Sequence, residues 1–267
     1  MTSRFATCVL ALLLFCCSSD SYEPSTLPDP RDPKFIEECV QTHNTLRSRV
    51  DPPASNMLYM SWDPDLAKTA KAWAQKCVFK HNIHLKEKGK THPRFSFIGE
   101  NIWTGSLSVF TVKAALASWY SEVQHYNYNT NGCSKVCGHY TQVVWATSYK
   151  VGCAVQFCPK VTYTSIVNAA HFICNYGPPG NYPERPYKTG GACSECSGEQ
   201  CAGLLCKNPE RDKVIEDSNW QPEWDRSVAA CDKFCILGIV LRLLFLIITF
   251  VVTWLLSKYW SLVPASG

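Results

Sequence analysis

Polar and apolar positions alternate at two different periods along this chain. In DPDLAKTAKAWAQKC, Leu66, Ala70, Trp73 and Cys77 recur at helical spacing on one face. Asp63 and Pro64 supply a cap and a first-turn proline for that helix. The same device, Asp32-Pro33, opens DPKFIEECVQTHNTLRSRV. A third stripe, Val112, Leu116, Trp119 and Val123, predicts a helix over 108–125 with Ser108 as its cap. The β-branched and aromatic runs at 58–62, 150–157 and 170–176 read as strands. Two long polar loops, 80–97 and 126–138, separate these elements. Loops of that length in a compact domain are functional or cross-linked.

The two ends carry longer apolar runs. MTSRFATCVLALLLFCCSSDS has a basic start at Arg4, an apolar stretch over 5–17 and small residues after it. It predicts a removed signal peptide over 1–21, which takes Cys8, Cys16 and Cys17 with it. ILGIVLRLLFLIITFVVTWLL, 236–256, has the length of a membrane span. Its one charge, Arg242, costs roughly 2.5–3.5 kcal/mol, while each Leu, Ile, Phe or Val returns ~0.3–0.6, so the sum favours insertion over a buried core helix. Trp254, Tyr259 and Trp260 suit an interfacial belt and Lys258 a cytoplasmic flank. A cleaved signal with one span predicts a single-pass type I protein, its N-terminal bulk extracellular or lumenal. A lipid-anchor signal fits less well, because SKYWSLVPASG follows the span.

Composition then narrows the classes. Net charge is +4 with no basic block, which argues against nucleic acid as a partner. Sixteen cysteines behind an export signal predict disulfides. Four of them, Cys193, Cys196, Cys201 and Cys206, lie in a turn-rich segment too small for a core of its own. A zinc ribbon is the rival reading, and CxxCx4Cx4C spacing suits it poorly. Residues 208–235 read as a polar stalk.

No HExxH, GxSxG, P-loop or dinucleotide glycine motif is present. Four residues stand out by their aromatic or cysteine neighbours: His81, Glu100, Glu122 and His139. Two imidazoles and two carboxylates in one hollow would satisfy each other, and the imidazoles could ligate a divalent cation. Spacing alone favours the plainer alternative, polar residues satisfied beside a core. His43, His84, His92, His125 and His171 read as ordinary surface or packing histidines.

GHYTQVVWATS (138–148) and HFICNYGPPGNY (171–182), with GENIW and HNTLRS, resemble the signature stretches of the CAP superfamily. That superfamily comprises cysteine-rich secretory proteins, insect venom antigens and plant pathogenesis-related proteins of group one. The resemblance covers about 35–187. It implies an α+β fold, an α-β-α sandwich around a small antiparallel sheet, followed here by a disulfide-rich hinge and a C-terminal transmembrane helix. The implied order is signal peptide 1–21, linker 22–33, CAP domain 34–188, cysteine-rich hinge 189–207, stalk 208–235, transmembrane helix 236–256 and cytoplasmic tail 257–267. It also implies a cleft holding His81, Glu100, Glu122 and His139, with His81 and His139 as ligands for zinc or another divalent cation. Thirteen cysteines remain in the mature chain, an odd number. Cys39 is expected to stay unpaired and Cys153 to bridge Cys174 across adjacent strands. The implied function is a surface-anchored binding module for a lipid, a sterol or a protein partner. The alternatives are a metal-dependent hydrolase using the same four residues, and a signalling ectodomain whose cleft is vestigial.

Overall fold

The computed structural model describes residues 27–225 and 233–262, which fall into two compact units divided after Asp225. The expected signal peptide, Cys231 and the last five residues lie outside the described residues.

The Asp-Pro pairs at 32–33 and 63–64 open helices, α1 (Pro33–Arg47) and α2 (Pro64–Ala74), separated by the short strand β1 (Ser61–Trp62). Asp32 accepts the Lys34 amide at 2.9 Å, and Asp63 accepts the Asp65 and Leu66 amides at 2.9 and 3.1 Å. Each carboxylate thereby satisfies first-turn donors and meets the positive end of the helix dipole. Strand β2 (Gly99–Ser106) follows, then α3 (Val112–Tyr120), the hairpin β3 (Tyr126–Asn127) and β4 (Gly132–Cys133), and α4 (Gly138–Val143). The long strands β5 (Lys150–Lys160) and β6 (Val167–Gly177) precede a small ribbon, β7 (Gln200–Ala202) and β8 (Leu205–Lys207).

The third helix starts later than its sequence suggests. The Ser108 hydroxyl is bonded to that of Ser106, and Leu107–Val109 form a 3₁₀ turn. Thr111 is the cap instead, accepting the Ala114 amide at 2.9 Å. The helix also ends early. Ser121–His125 tighten into a 3₁₀ turn, which carries Glu122 off the helix on which it was expected.

The sheet order is β1-β5-β6-β2. β5, β6 and β2 are antiparallel, and only the two residues of β1 run parallel, to β5. The pleat sorts side chains to two faces. Val151, Cys153, Val155, Phe172, Cys174 and Tyr176 join the core made with α1, α3 and α4. Ala154, Ile173 and Ile102 pack on Ala70, Trp73 and Ala74 of α2. This is the expected α-β-α sandwich. A Cβ at Gly152 would sit 2.2 Å from the Ala67 nitrogen, so α2 can seat this closely only over glycine.

Five disulfides lie among the described residues. Cys153 and Cys174 are register partners and are bridged, as expected. Cys77–Cys158 spans 81 residues, worth about 4.5 kcal/mol as loop-closure entropy. Cys193–Cys201 and Cys196–Cys206 staple the hinge. Its Cys206 and Glu195 amides bond Met57 and Ser55 carbonyls, so the hinge is seated on the domain. Cys39 is free, as expected, and buried.

The first part of the expected stalk does not stand free. Up to Asp225 it is a strap laid against α2 and the loop before β2. Lys68, Arg94 and Lys150 donate to the carbonyls of Asp217, Ile215 and Lys213, and Asp65 accepts the Asp217 amide. In the other unit, α5 (Lys233–Leu262) contains one apolar stretch, Val240–Lys258, long enough to cross a membrane.

Candidate functional site

His81 lies past the end of α2, in the chain that Cys77 turns with a positive φ of 51°. Its Nδ1 meets Glu100 Oε1 at 3.0 Å, and the Asn82 amide donates to the same oxygen at 2.9 Å. A carboxylate oxygen only accepts, so Nδ1 carries the proton and Nε2 is left outward. The imidazole is largely exposed, its side chain 62% accessible, whereas the Glu100 side chain is fully buried on β2. Glu100 Oε2 is buried without a hydrogen-bond partner. Burial pushes the Glu100 carboxyl up, against the hydrogen bonds from His81 and Asn82. The Glu100 hydrogen bond in turn raises His81. The proton is therefore held tightly within the pair.

His139 is built on the same plan from different elements. It follows Gly138 at the start of α4, where Cys137 offers no side-chain cap. Glu122 supplies it from the 3₁₀ turn: Oε2 accepts the amides of His139 at 3.0 Å and Tyr140 at 3.1 Å, and Oε1 meets His139 Nδ1 at 2.6 Å. Burial raises the Glu122 carboxyl, but the bonds and charge of His139 and the two amides outweigh it, and the net shift is downward. Here too Nε2 points away from its glutamate. The ring stacks on Trp119, whose Nε1 donates to Ile102 O of β2 at 3.2 Å.

The two histidine–glutamate pairs meet consecutive residues of one strand. Glu100 holds His81, and Asn101 donates from its Nδ2 to the His139 carbonyl at 3.0 Å. Asn101 also bonds the Tyr176 hydroxyl, which bonds His43 Nε2 at 3.0 Å. His43 Nδ1 donates to Cys39 O at 2.7 Å, and burial takes its pKa to about 4, so this imidazole is neutral at pH 7. His43 thus packs as expected while also supporting the His139 carbonyl through two relays.

A further group escaped sequence reasoning. Asp63, Asp65 and His92 are buried with ligand atoms within 4.8 Å of one another, a spacing that could hold a metal ion. Their lone pairs are already committed. Nδ1 of His92 accepts the Arg94 and Phe95 amides, so its Nε2 carries the proton toward Asp63 Oδ1 at 3.2 Å. Arg94 pairs with Asp63, and Lys68 with Asp65. The group works as an ion-pair network that fixes the α2 cap to loop and strap. The Asp-Pro-Asp cap was visible in the sequence; nothing there tied it to His92, 29 residues away.

Comparison with known proteins places these features in a family. Residues 40–176 match the model of the CAP, Cysteine-rich secretory protein family. The chain is 48% identical to Glioma pathogenesis-related protein 1 of Mus musculus over 96% of this chain and 98% of that one. It is 47% identical to GLIPR1-like protein 1 of Bos taurus, covering 85% and 93%. Among solved structures, NaASP2 with Zn2+ is similar at TM-score 0.51 and 28% identity, covering 70% of this chain and 98% of that one.

Proposed function

The chain belongs to the CAP, Cysteine-rich secretory protein family, and from that premise we propose that it is a membrane-anchored extracellular binding module that holds a divalent cation, zinc above all, through His81 and His139. One observation carries the reading. Each imidazole gives Nδ1 to a glutamate and keeps Nε2 free, the orientation in which a carboxylate fixes the tautomer and ring direction of a metal-ligating histidine. The zinc in the NaASP2 structure supports the choice of metal. Zinc would supply a fixed positive charge and Lewis acidity; the glutamates orient the rings.

The five disulfides support an oxidising, extracellular location, and the apolar stretch of α5 supports a type I anchor. The rim of the His81 loop supports a lipid or sterol as organic ligand. Phe79, Ile83 and Tyr163 are exposed there, Ile83 at 72%. A second reading, a hydrolase using Glu100 as acid or base, is favoured by its unpartnered Oε2 and raised carboxyl.

Crystals of the 22–225 fragment soaked in zinc test the main reading. An anomalous peak bonded to Nε2 of both histidines is expected; a peak only at Asp63 and Asp65, or none, overturns it. Saturable sterol binding weakened by Ile83→Asp is the expected ligand result, and no saturable binding discards that class.

A further inference from the structure

The loop that carries His81 is gripped at both ends, and both grips lean on one residue far along the chain. Before His81, the Lys80 carbonyl accepts Trp73 Nε1 at 2.8 Å. After it, Asn82 Oδ1 accepts the His84 amide at 2.9 Å, and the Asn82 amide donates to Glu100. Trp73 and His84 are the outer members of these grips. Trp224 of the strap packs on both: it stacks on the His84 ring at 5.0 Å and 11°, and meets Trp73 edge-on at 6.1 Å and 81°. Its Nε1 donates to Lys90 O at 2.9 Å, and neighbouring Glu223 pairs with Lys90.

We propose that Trp224 is a positioning residue for His81, so that the strap after the family-matched segment sets the aim of one of the two imidazoles. The matched segment ends at residue 176, so Trp224 lies outside it. An aromatic wedge suits this task. A half-buried indole contributes packing on two sides and fixes its own rotation through one hydrogen bond. His139 has no such dependence: its supports are Glu122, Trp119 and Asn101. The strap therefore acts on one half of the candidate site and leaves the other as an internal reference. The inference bears on the site proposed above, but its geometric content does not require that a metal binds.

Amide hydrogen exchange on the full chain in detergent, without metal, tests it. In Trp224→Ala, exchange of the Asn82 amide and its neighbours over 80–87 should quicken about tenfold, the scale of one aromatic pair and one hydrogen bond lost. Exchange over 138–144 should not change. Trp224→Phe keeps the stack and the edge contact and should restore most of the protection. Trp224→Leu, which keeps apolar volume without the stack, serves if the alanine variant does not fold. Unchanged exchange at 80–87 overturns the proposal, as does equal acceleration of both segments. A phenylalanine variant no better protected than alanine overturns its aromatic basis. Failure of zinc to bind would count against the proposed function and leave this result standing.

Discussion

Arg47 is fully buried, and no carboxylate pairs with it among the described residues. Its guanidinium instead donates to four carbonyls: Leu58 from Nε and Nη2, Val143 and Trp145 from Nη1, and Ala146 from Nη2, at 2.7–3.2 Å. These bonds tie α1 to the chain that leaves α4, the helix that carries His139. Two of the carbonyls keep another donor when Arg47 is removed: Leu58 N–H for Ala146 and Ser148 N–H for Trp145. Leu58 O and Val143 O depend on Arg47. Replacing it with methionine preserves most of the volume and strands two buried acceptors at ~1–3 kcal/mol each, so the expected loss is about 4 kcal/mol. For a unit of this size that lowers Tm by about 8–16 °C. Lysine should lose more than half as much, since one ammonium cannot span four carbonyls. Differential scanning calorimetry with disulfides intact is the assay. A fall under about 3 °C for Arg47→Met would show that the carbonyls find other donors and that the clamp is dispensable.

Other expectations follow from the same contacts. Burial takes His43 and His171 to about 4, below their ordinary 6.5, so the unfolded chain binds more protons between those values. Stability should therefore fall as pH drops from 6.5 to 4, by up to about 3 kcal/mol per histidine, and urea melts of His171→Gln should show a shallower slope. Glu122, held below its ordinary value, stabilises above pH 4.5 and loses that contribution as pH falls through its folded pKa. Glu122→Gln should flatten this acid limb in the same melts. Gly152→Ala forces a Cβ to within 2.2 Å of the Ala67 nitrogen and should cost at least about 2 kcal/mol, read in the same way. Cys39 should resist iodoacetamide in the native chain and react on denaturation, because burial raises its thiol pKa and shields it.

Local chemistry made much of the fold legible. The Asp-Pro pairs at 32–33 and 63–64 cap helices because an amphipathic stretch follows each, and alternating apolar residues at 150–157 and 170–176 leave a sheet little choice of faces. Ser108 misled because a cap is chosen by backbone conformation as well as by hydroxyl. Thr111 is extended with its Oγ1 toward the Ala114 amide, whereas Ser108 lies in a turn with its hydroxyl spent. The four candidate residues were found by their neighbours and by resemblance, and the structure pairs them two by two. Which ring nitrogen each glutamate takes was beyond the sequence, since that depends on the turn at 121–125 and the reversal at Cys77. The strap was missed for a related reason. Its polar composition reads as solvated chain, yet Lys68, Arg94 and Lys150 all bond its backbone carbonyls, which no side-chain pattern reveals. His92 was undervalued because its partners come from α2 and from the chain beside it.

Zinc titration of the full chain by calorimetry tests the central claim most directly. The wild-type chain, His81→Ala, His139→Ala and Asp65→Asn are compared. One zinc per chain is predicted, lost in either histidine variant and retained in Asp65→Asn. Zinc binding that survives removal of both histidines, or that disappears only in Asp65→Asn, would contradict it.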